Sequence, residues 1–382
     1  MQQSGLSGHT IGSSRAGGSG IRRIAAFVAA LLLVLSAGVA QSGESPSQAH
    51  SRTAAGPDGG LFEVSVFFVT NRGRDQDASA SVVYNGERGE RSFGRCNVRF
   101  KPIPLMGELA AKMPFYLPSE TNDSRVAEHP DEAVFWDQLT ATVEQSSSRT
   151  AVVFVHGYNY GFERTCRMAA EMQRALAGQA AVLMFSWPSN GLPTDYVRDQ
   201  ADVEWSVPLL ADLLSQLGER IGRPNVQVVA HSLGSRGVTF ALQRMGAETE
   251  LRPVIGRLVL LAPDFDSQTF VDLLPGLAPL TGGISLYASG NDTPLKLSRQ
   301  LSGYPRLGEA GEFLTLAEGI ETIDVSSAGL YQVFGHEYFF FNPLVEADLV
   351  TLLGSGSSAE QRSGLRPKER GGTRYWEVAP VR

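Results

Sequence analysis

A chain of 382 residues that is 42% hydrophobic and 19% charged has the make-up of an ordinary globular protein, which excludes a disordered or fibrous chain. Its formal net charge of -7 gives nucleic acid and anionic membrane surfaces no long-range attraction, so no nucleic-acid partner is expected. Two cysteines, Cys96 and Cys166, are too few for a disulfide scaffold or a cysteine-rich zinc site. Whether they pair or stand apart as buried thiols the sequence leaves open.

Residues 1–40 read as a signal peptide. Arg22 and Arg23 precede an apolar run over 24–35, and Gly38, Val39 and Ala40 supply the small residues at a cleavage site. Export to the periplasm or medium is the expectation. The alternative is an uncleaved anchor in the inner membrane, for which the run falls short of the roughly 20 residues that cross a bilayer; membrane contact is expected only in that case. Residues 41–60, rich in Ser, Gly, Ala and Pro, follow as a flexible spacer.

The segment 61–353 is expected to be one α/β domain, because short apolar runs alternate with longer amphipathic ones. Strands are predicted at 62–70 and 93–100 as an antiparallel start, then at 151–155, 181–186, 226–230, 257–261, 284–288 and 321–325. Helices are predicted at 162–177, 196–217, 233–245, 268–274, 295–301 and 343–353, the last entered through Asn342 as cap and Pro343 in the first turn. A mostly parallel sheet with helices on both faces is the architecture this order implies. Residues 354–382 read as a polar tail, with Tyr375 and Trp376 the one apolar pair able to fold back.

The strongest local signal is the apolar strand Val226-Gln227-Val228-Val229-Ala230 running into His231-Ser232-Leu233-Gly234 and then a helix. A nucleophile elbow needs this: a sharp turn that holds a serine hydroxyl proud of the sheet and tolerates only small residues two before and two after it, here Ala230 and Gly234. The bland reading is a serine that caps a helix. A serine hydroxyl needs a base to take its proton, and the base needs an acid to fix its tautomer. Only His336 follows Ser232 among the histidines, and the order serine, acid, histidine makes it the expected base. Two aspartates follow strands at the right edge. Asp292 in Ser289-Gly290-Asn291-Asp292 is the preferred acid, and Asp264 in Ala262-Pro263-Asp264 the alternative.

Attack on a carbonyl creates an oxyanion that backbone N–H groups can stabilise. Leu233, directly after the serine, is one expected donor; Tyr158, after the His156-Gly157 turn that ends an earlier strand, is the other. His231 should point away from the site as a packing residue. Tyr158, Tyr160, Trp187, Pro188, Tyr196 and Trp205 are candidates to line a pocket, with core packing as the competing role. No large insertion separates Phe265 from Gly283, so a shallow, open site is expected.

Seven segments in order, FFVTNR at 67–72, VFVHGYN at 153–159, FSWPS at 185–189, AHSLG at 230–234, APDFD at 262–266, YASGND at 287–292 and GHEYF at 335–339, resemble the bacterial α/β-hydrolase group DUF900. The resemblance implies the hydrolase fold and supports the roles given to Ser232, Asp292 and His336; it implies little about substrate. The chain departs from the group at Glu337, where serine often follows the histidine. The expected activity is cleavage of a small-molecule ester or related acyl bond, with no cofactor and no metal. The rival reading is a catalytically silent exported module that keeps the sheet as a scaffold. A metal-dependent hydrolase is disfavoured, since the chain offers no His-x-x-x-His pair.

Overall fold

Side chains on a strand alternate between the two faces of a sheet, so a run that is apolar at every position asks for cover on both sides. The computed structural model, which describes residues 62–75, 83–101, 120–129, 131–247, 252–328 and 336–378, meets that demand. Among the described residues an 11-stranded sheet has the order β10-β11-β9-β8-β7-β6-β4-β5-β1-β2-β3. The strands are β1 (Phe62–Arg74), β2 (Tyr84–Lys101), β3 (Glu120–Glu128), β4 (Thr150–Val155), β5 (Ala180–Ser186), β6 (Val226–His231), β7 (Arg257–Leu261), β8 (Ile284–Ala288), β9 (Ile320–Asp324), β10 (Leu365–Arg370) and β11 (Thr373–Val378). Pairing is parallel from β11 through β9, β8, β7, β6, β4 and β5 to β1. It is antiparallel for β1–β2, β2–β3 and β10–β11.

The helices are α1 (Glu132–Gln145), α2 (Phe162–Leu176), α3 (Tyr196–Trp205), α4 (Val207–Leu217), α5 (Gly234–Gly246), α6 (Ser267–Leu277), α7 (Thr293–Ser302), α8 (Tyr338–Phe341) and α9 (Pro343–Ser355). On one face Val153, Leu183, Val228 and Leu258 pack against Leu139 of α1, Leu214 of α4, Val238 of α5 and Phe270 of α6. On the other Val152, Val182, Val229 and Val259 meet Ala169 of α2 and Leu352 of α9. The fold class is therefore the α/β one expected, a mostly parallel sheet covered on both faces.

Sheet order also sets where a site can lie. β4 and β6 are neighbours, yet the chain leaves β4 for β5 on one side and β6 for β7 on the other. Such a reversal opens a crevice beyond the carboxyl ends of the strands. The loops that begin at His156 and Ser232 both open onto it.

Four features differ from the sequence expectations or go beyond them. Strand β3 and helix α1 fill a stretch with no predicted element; α1 is capped by Asp131, which accepts from the Ala133 and Val134 N–H groups, and buries Phe135, Trp136, Leu139 and Val143. The helix predicted over 196–217 is two helices, because Pro208 has no N–H to continue the ladder and the Ser206 hydroxyl takes the carbonyl of Asp202 at 2.8 Å. The tail predicted over 354–382 is corrected by the structure as far as residue 378. β11 adds in parallel to β9 and buries Tyr375 and Val378, and Arg362, 2% exposed, forms a buried ion pair with Asp348 at 2.6 Å. The domain boundary set at 353 thus falls inside the fold; β10, polar and charged after Leu365, closes the sheet edge. Finally, Cys96 of β2 and Cys166 of α2 form a disulfide with a Cα separation of 6.2 Å, which decides the question left open above. The predicted signal segment 1–40 and spacer 41–60 lie outside the described residues.

Candidate functional site

β6 ends in a turn that only small neighbours permit. Ser232 has φ +50, a left-handed backbone that costs energy in a residue with a side chain. The turn is held by the Ser232 N–H on the Leu261 carbonyl at 3.0 Å and by the Asp264 N–H on the Ser232 carbonyl at 3.1 Å. A Cβ at Gly234 would lie 2.4 Å from the His156 carbonyl oxygen, and one at Gly157 would lie 2.7 Å from the Ser232 Cβ. The loops after β4 and β6 are thus pressed together at a distance that glycine alone allows. Ser232 stands at the N-terminal end of α5, where the helix dipole favours negative charge.

His336 reaches Ser232 from the far end of the chain. Its Nε2 lies 2.9 Å from the Ser232 Oγ and its Nδ1 2.8 Å from Asp292 Oδ2. Asp292 is fully buried at the start of α7, where its Oδ1 accepts the Leu295 N–H at 2.9 Å. A carboxylate only accepts, so Nδ1 carries the proton and Nε2 is left to accept from the serine hydroxyl. Burial alone would depress the His336 pKa, but the Asp292 charge, the hydrogen bond to it and, further off, Glu337 and Asp264 outweigh burial and raise it. Burial in turn raises the Asp292 carboxyl, against the pull of His336 and of the Leu295 N–H.

The structure does not bring the alternative carboxylate, Asp264, to the imidazole. Its Oδ1 accepts from Ser298 Oγ at 2.7 Å and Arg306 Nε at 2.8 Å, and its Oδ2 from the Tyr196 hydroxyl at 2.7 Å. It serves instead as the anchor of one wall. Glu337, next to the imidazole, is gripped by the Tyr160 hydroxyl and by Arg164 of α2, whose guanidinium also lies 4.1 Å from the centre of the Tyr160 ring. Glu337 therefore ties the histidine segment to the loop after β4.

That loop is clamped at almost every backbone group. The Gly157 carbonyl faces His156 Nδ1 at 2.8 Å, the Asn159 N–H donates to Asp199 Oδ2 at 3.1 Å, and the Tyr160 N–H donates to Ser189 Oγ at 3.1 Å. Between them the Tyr158 N–H has no hydrogen-bond acceptor among the described residues, and neither has the Leu233 N–H. Asn159 adopts φ +63, a conformation asparagine tolerates better than most residues. Asp199 is buried in α3, and burial pushes its carboxyl up to about 6 although Ser189, the Asn159 N–H and Arg72 oppose this.

A cleft of about 710 Å³ opens between α3, α5, α6 and α7. Tyr196, Ser298 and Arg306 line it, and all three bond the Asp264 carboxylate whose own N–H holds the Ser232 carbonyl. The aromatic residues proposed for a pocket divide. Tyr158 and Tyr196 pack edge to face at 5.3 Å beside the cleft. Trp187 is wholly buried and stacks on His156 at 4.6 Å, Tyr160 belongs to the Glu337 clamp, and Trp205 is 40% exposed under Arg88. Pro188 is buried. His231 does not point clear of the site: its ring centre is 4.9 Å from that of His336. It is buried against Tyr160 and Phe339, and burial, with His336 and Arg164 nearby, drives its pKa well down.

Sequence reasoning passed over Arg72 and Asp199. Arg72 sits in the FFVTNR segment that carries part of the resemblance, and its one local signal is a cation three residues past the apolar run that ends at Val69. Asp199 looks like a surface acid in a first helical turn, and nothing local marks it as buried.

An uncharacterized protein of Nostoc sp., alr1448, is 26% identical over 243 residues, which are 56% of this chain and 61% of that protein's own length. Among solved structures, Aspergillus fumigatus lipase B is 17% identical over 53% of this chain and 52% of its own, with a TM-score of 0.36. EstE1, a carboxylesterase cloned from a metagenomic library, is 10% identical over 89% of this chain and 96% of its own, with a TM-score of 0.31. Residues 131–355 match the family described as alpha/beta hydrolase of unknown function (DUF900), and because that match spans more than half of the sequence, the chain belongs to this family.

Proposed function

We propose that the protein is a serine hydrolase that cleaves an ester or related acyl bond through an acyl-enzyme. The observation that carries the reading is the unbroken relay from Ser232 Oγ to His336 Nε2 at 2.9 Å and from His336 Nδ1 to Asp292 at 2.8 Å. In the first step the Ser232 oxygen bonds to the substrate's carbonyl carbon while its proton passes to His336 Nε2. The oxyanion that forms is met by the N–H groups of Tyr158 and Leu233 and by the α5 dipole. Collapse breaks the bond to the leaving oxygen, which takes the proton from His336. A water molecule then repeats the sequence on the acyl-enzyme and frees the acid and Ser232. These steps call on no cofactor.

The cleft whose wall residues Tyr196, Ser298 and Arg306 hold Asp264 supports a small-molecule ester as substrate. Export belongs to the same proposal. The Cys96–Cys166 disulfide supports it, since such bonds persist in oxidising compartments.

A fluorophosphonate probe should label the purified wild type and leave Ser232→Ala unlabelled; equal labelling of both forms would remove Ser232 as nucleophile. The pH profile gives an independent check. His336 must be neutral to accept the proton, so kcat/KM rises with pH as the imidazole loses its charge. Because Asp292 and the other acidic groups raise that pKa, the midpoint in the free enzyme should lie above the ordinary value of about 6.5. A limb centred below that value would contradict the assigned base.

A further inference from the structure

Arg72, near the end of β1, is 1% exposed, and all of its donors are used. Nε donates to Ser186 Oγ at 2.8 Å, Nη1 to the carbonyls of Asn85 at 3.3 Å and Ser189 at 2.6 Å, and Nη2 to the carbonyl of Tyr160 at 2.7 Å. The remaining Nη2 contact is His156 Nε2 at 3.2 Å. Burial pulls the guanidinium down to about 9, while Asp199 and Asp202 hold it up, so it is charged at neutral pH.

A guanidinium has no acceptor to offer, so His156 Nε2 must accept from it and the ring proton sits on Nδ1. Nδ1–H then donates to the Gly157 carbonyl at 2.8 Å. The Trp187 carbonyl, 3.1 Å from Nε2, would favour the other tautomer. That tautomer would set Nε2–H against the Arg72 donor and leave bare Nδ1 against the Gly157 oxygen, two repulsive contacts in place of one. A doubly protonated ring is opposed by burial first and by the Arg72 charge second, which together lower the His156 pKa well below its ordinary value.

The peptide after Gly157 is trans, and across a planar trans peptide the C=O and the following N–H point in opposite directions. Whatever fixes the Gly157 oxygen therefore aims the Tyr158 N–H. We infer that Arg72 is a positioning residue that locks the His156 tautomer and, through the Gly157 carbonyl, holds the Tyr158 N–H in place to receive the oxyanion. This rests on the serine hydrolase reading for its consequence, though the tautomer itself does not. Asp199 and Ser189 hold the N–H groups of the next two peptides, those of Asn159 and Tyr160, so the Tyr158 donor is framed by buried anchors on both sides along the chain.

The test is a cycle on an ester substrate. Arg72→Lys keeps a charge but cannot span the five acceptors, and should lower kcat about 10²-fold, the loss expected for one oxyanion donor, with KM within about twofold. Affinity for an alkylboronic acid, whose serine adduct is tetrahedral, should fall in parallel with kcat. His156→Asn presents an amide N–H toward the Gly157 oxygen with no tautomer to lock, so adding Arg72→Lys to it should cost less than about fivefold. Losses that multiply in full across the two changes would overturn the relay. If Arg72→Lys does not fold, ¹⁵N NMR of histidine-labelled wild type decides the tautomer: His156 protonated at Nδ1 is required, and protonation at Nε2 overturns the inference. Turnover by Ser232→Ala would instead defeat the hydrolase reading while leaving that tautomer result standing.

Discussion

Asp292→Asn should lower kcat by about 10⁴-fold with the fold intact, the scale expected if the carboxylate is the acid of a triad and becomes an amide. The amide can present N–H where the carboxylate only accepted. His336 Nδ1 then becomes the acceptor, its proton moves to Nε2, and Nε2–H faces a serine oxygen that it can no longer deprotonate. The buried Asp292 also keeps its Leu295 bond, so the loss falls on rate more than on stability. Asp264→Asn should behave in the opposite way. Its carboxylate pairs with Arg306 where both side chains are about 5% exposed, and removing one partner of such a pair costs on the order of 3 kcal/mol. Its kcat should fall by no more than about tenfold, since it supports the Ser232 carbonyl and the Tyr196 wall without touching His336. Measuring kcat and the unfolding midpoint of both variants separates the two; the reverse ranking in kcat would make Asp264 the acid.

The second large effect concerns the covalent link. Cys96 and Cys166 are both fully buried and 70 residues apart, and closing a loop of that length removes about 4 kcal/mol of unfolded-chain entropy in the chain-entropy model. Replacing both by serine should therefore lower the unfolding free energy by about that amount. Serine adds two hydroxyls to a site between β2 and α2 that is otherwise apolar, which pushes the effect the same way. α2 also carries Arg164, so loosening it slackens the grip on Glu337 beside His336, and some activity should go with the stability. Chemical denaturation with and without reductant reads the result. An unchanged midpoint, or two titratable thiols in unreduced unfolded protein, would refute it.

Local signals carried part of this structure well. β7 and β8 have the bounds predicted for them, because a five-residue stretch with four apolar positions between turn residues has few other readings. The turn at Ser232 was legible because its demands fall on Ala230 and Gly234, two positions away. Strand β11 was not, since its buried residues are few and its neighbours are charged, so that its polar face hid the buried one. α1 was missed although Asp131 and the apolar positions 135, 136, 139 and 143 form a capped, one-faced pattern; a long polar stretch before it masked the start.

By itself the sequence determined the class of fold, the serine at the head of α5 and the histidine able to reach it, since each rests on contacts within a few residues or on there being one histidine after position 232. Only the tertiary structure set Asp292 rather than Asp264 against His336, joined Cys96 to Cys166, and turned Arg72 and Asp199 inward. Those outcomes depend on which strands lie side by side and how far apart their ends fall, and packing distances of that kind are a property of the folded sheet as a whole.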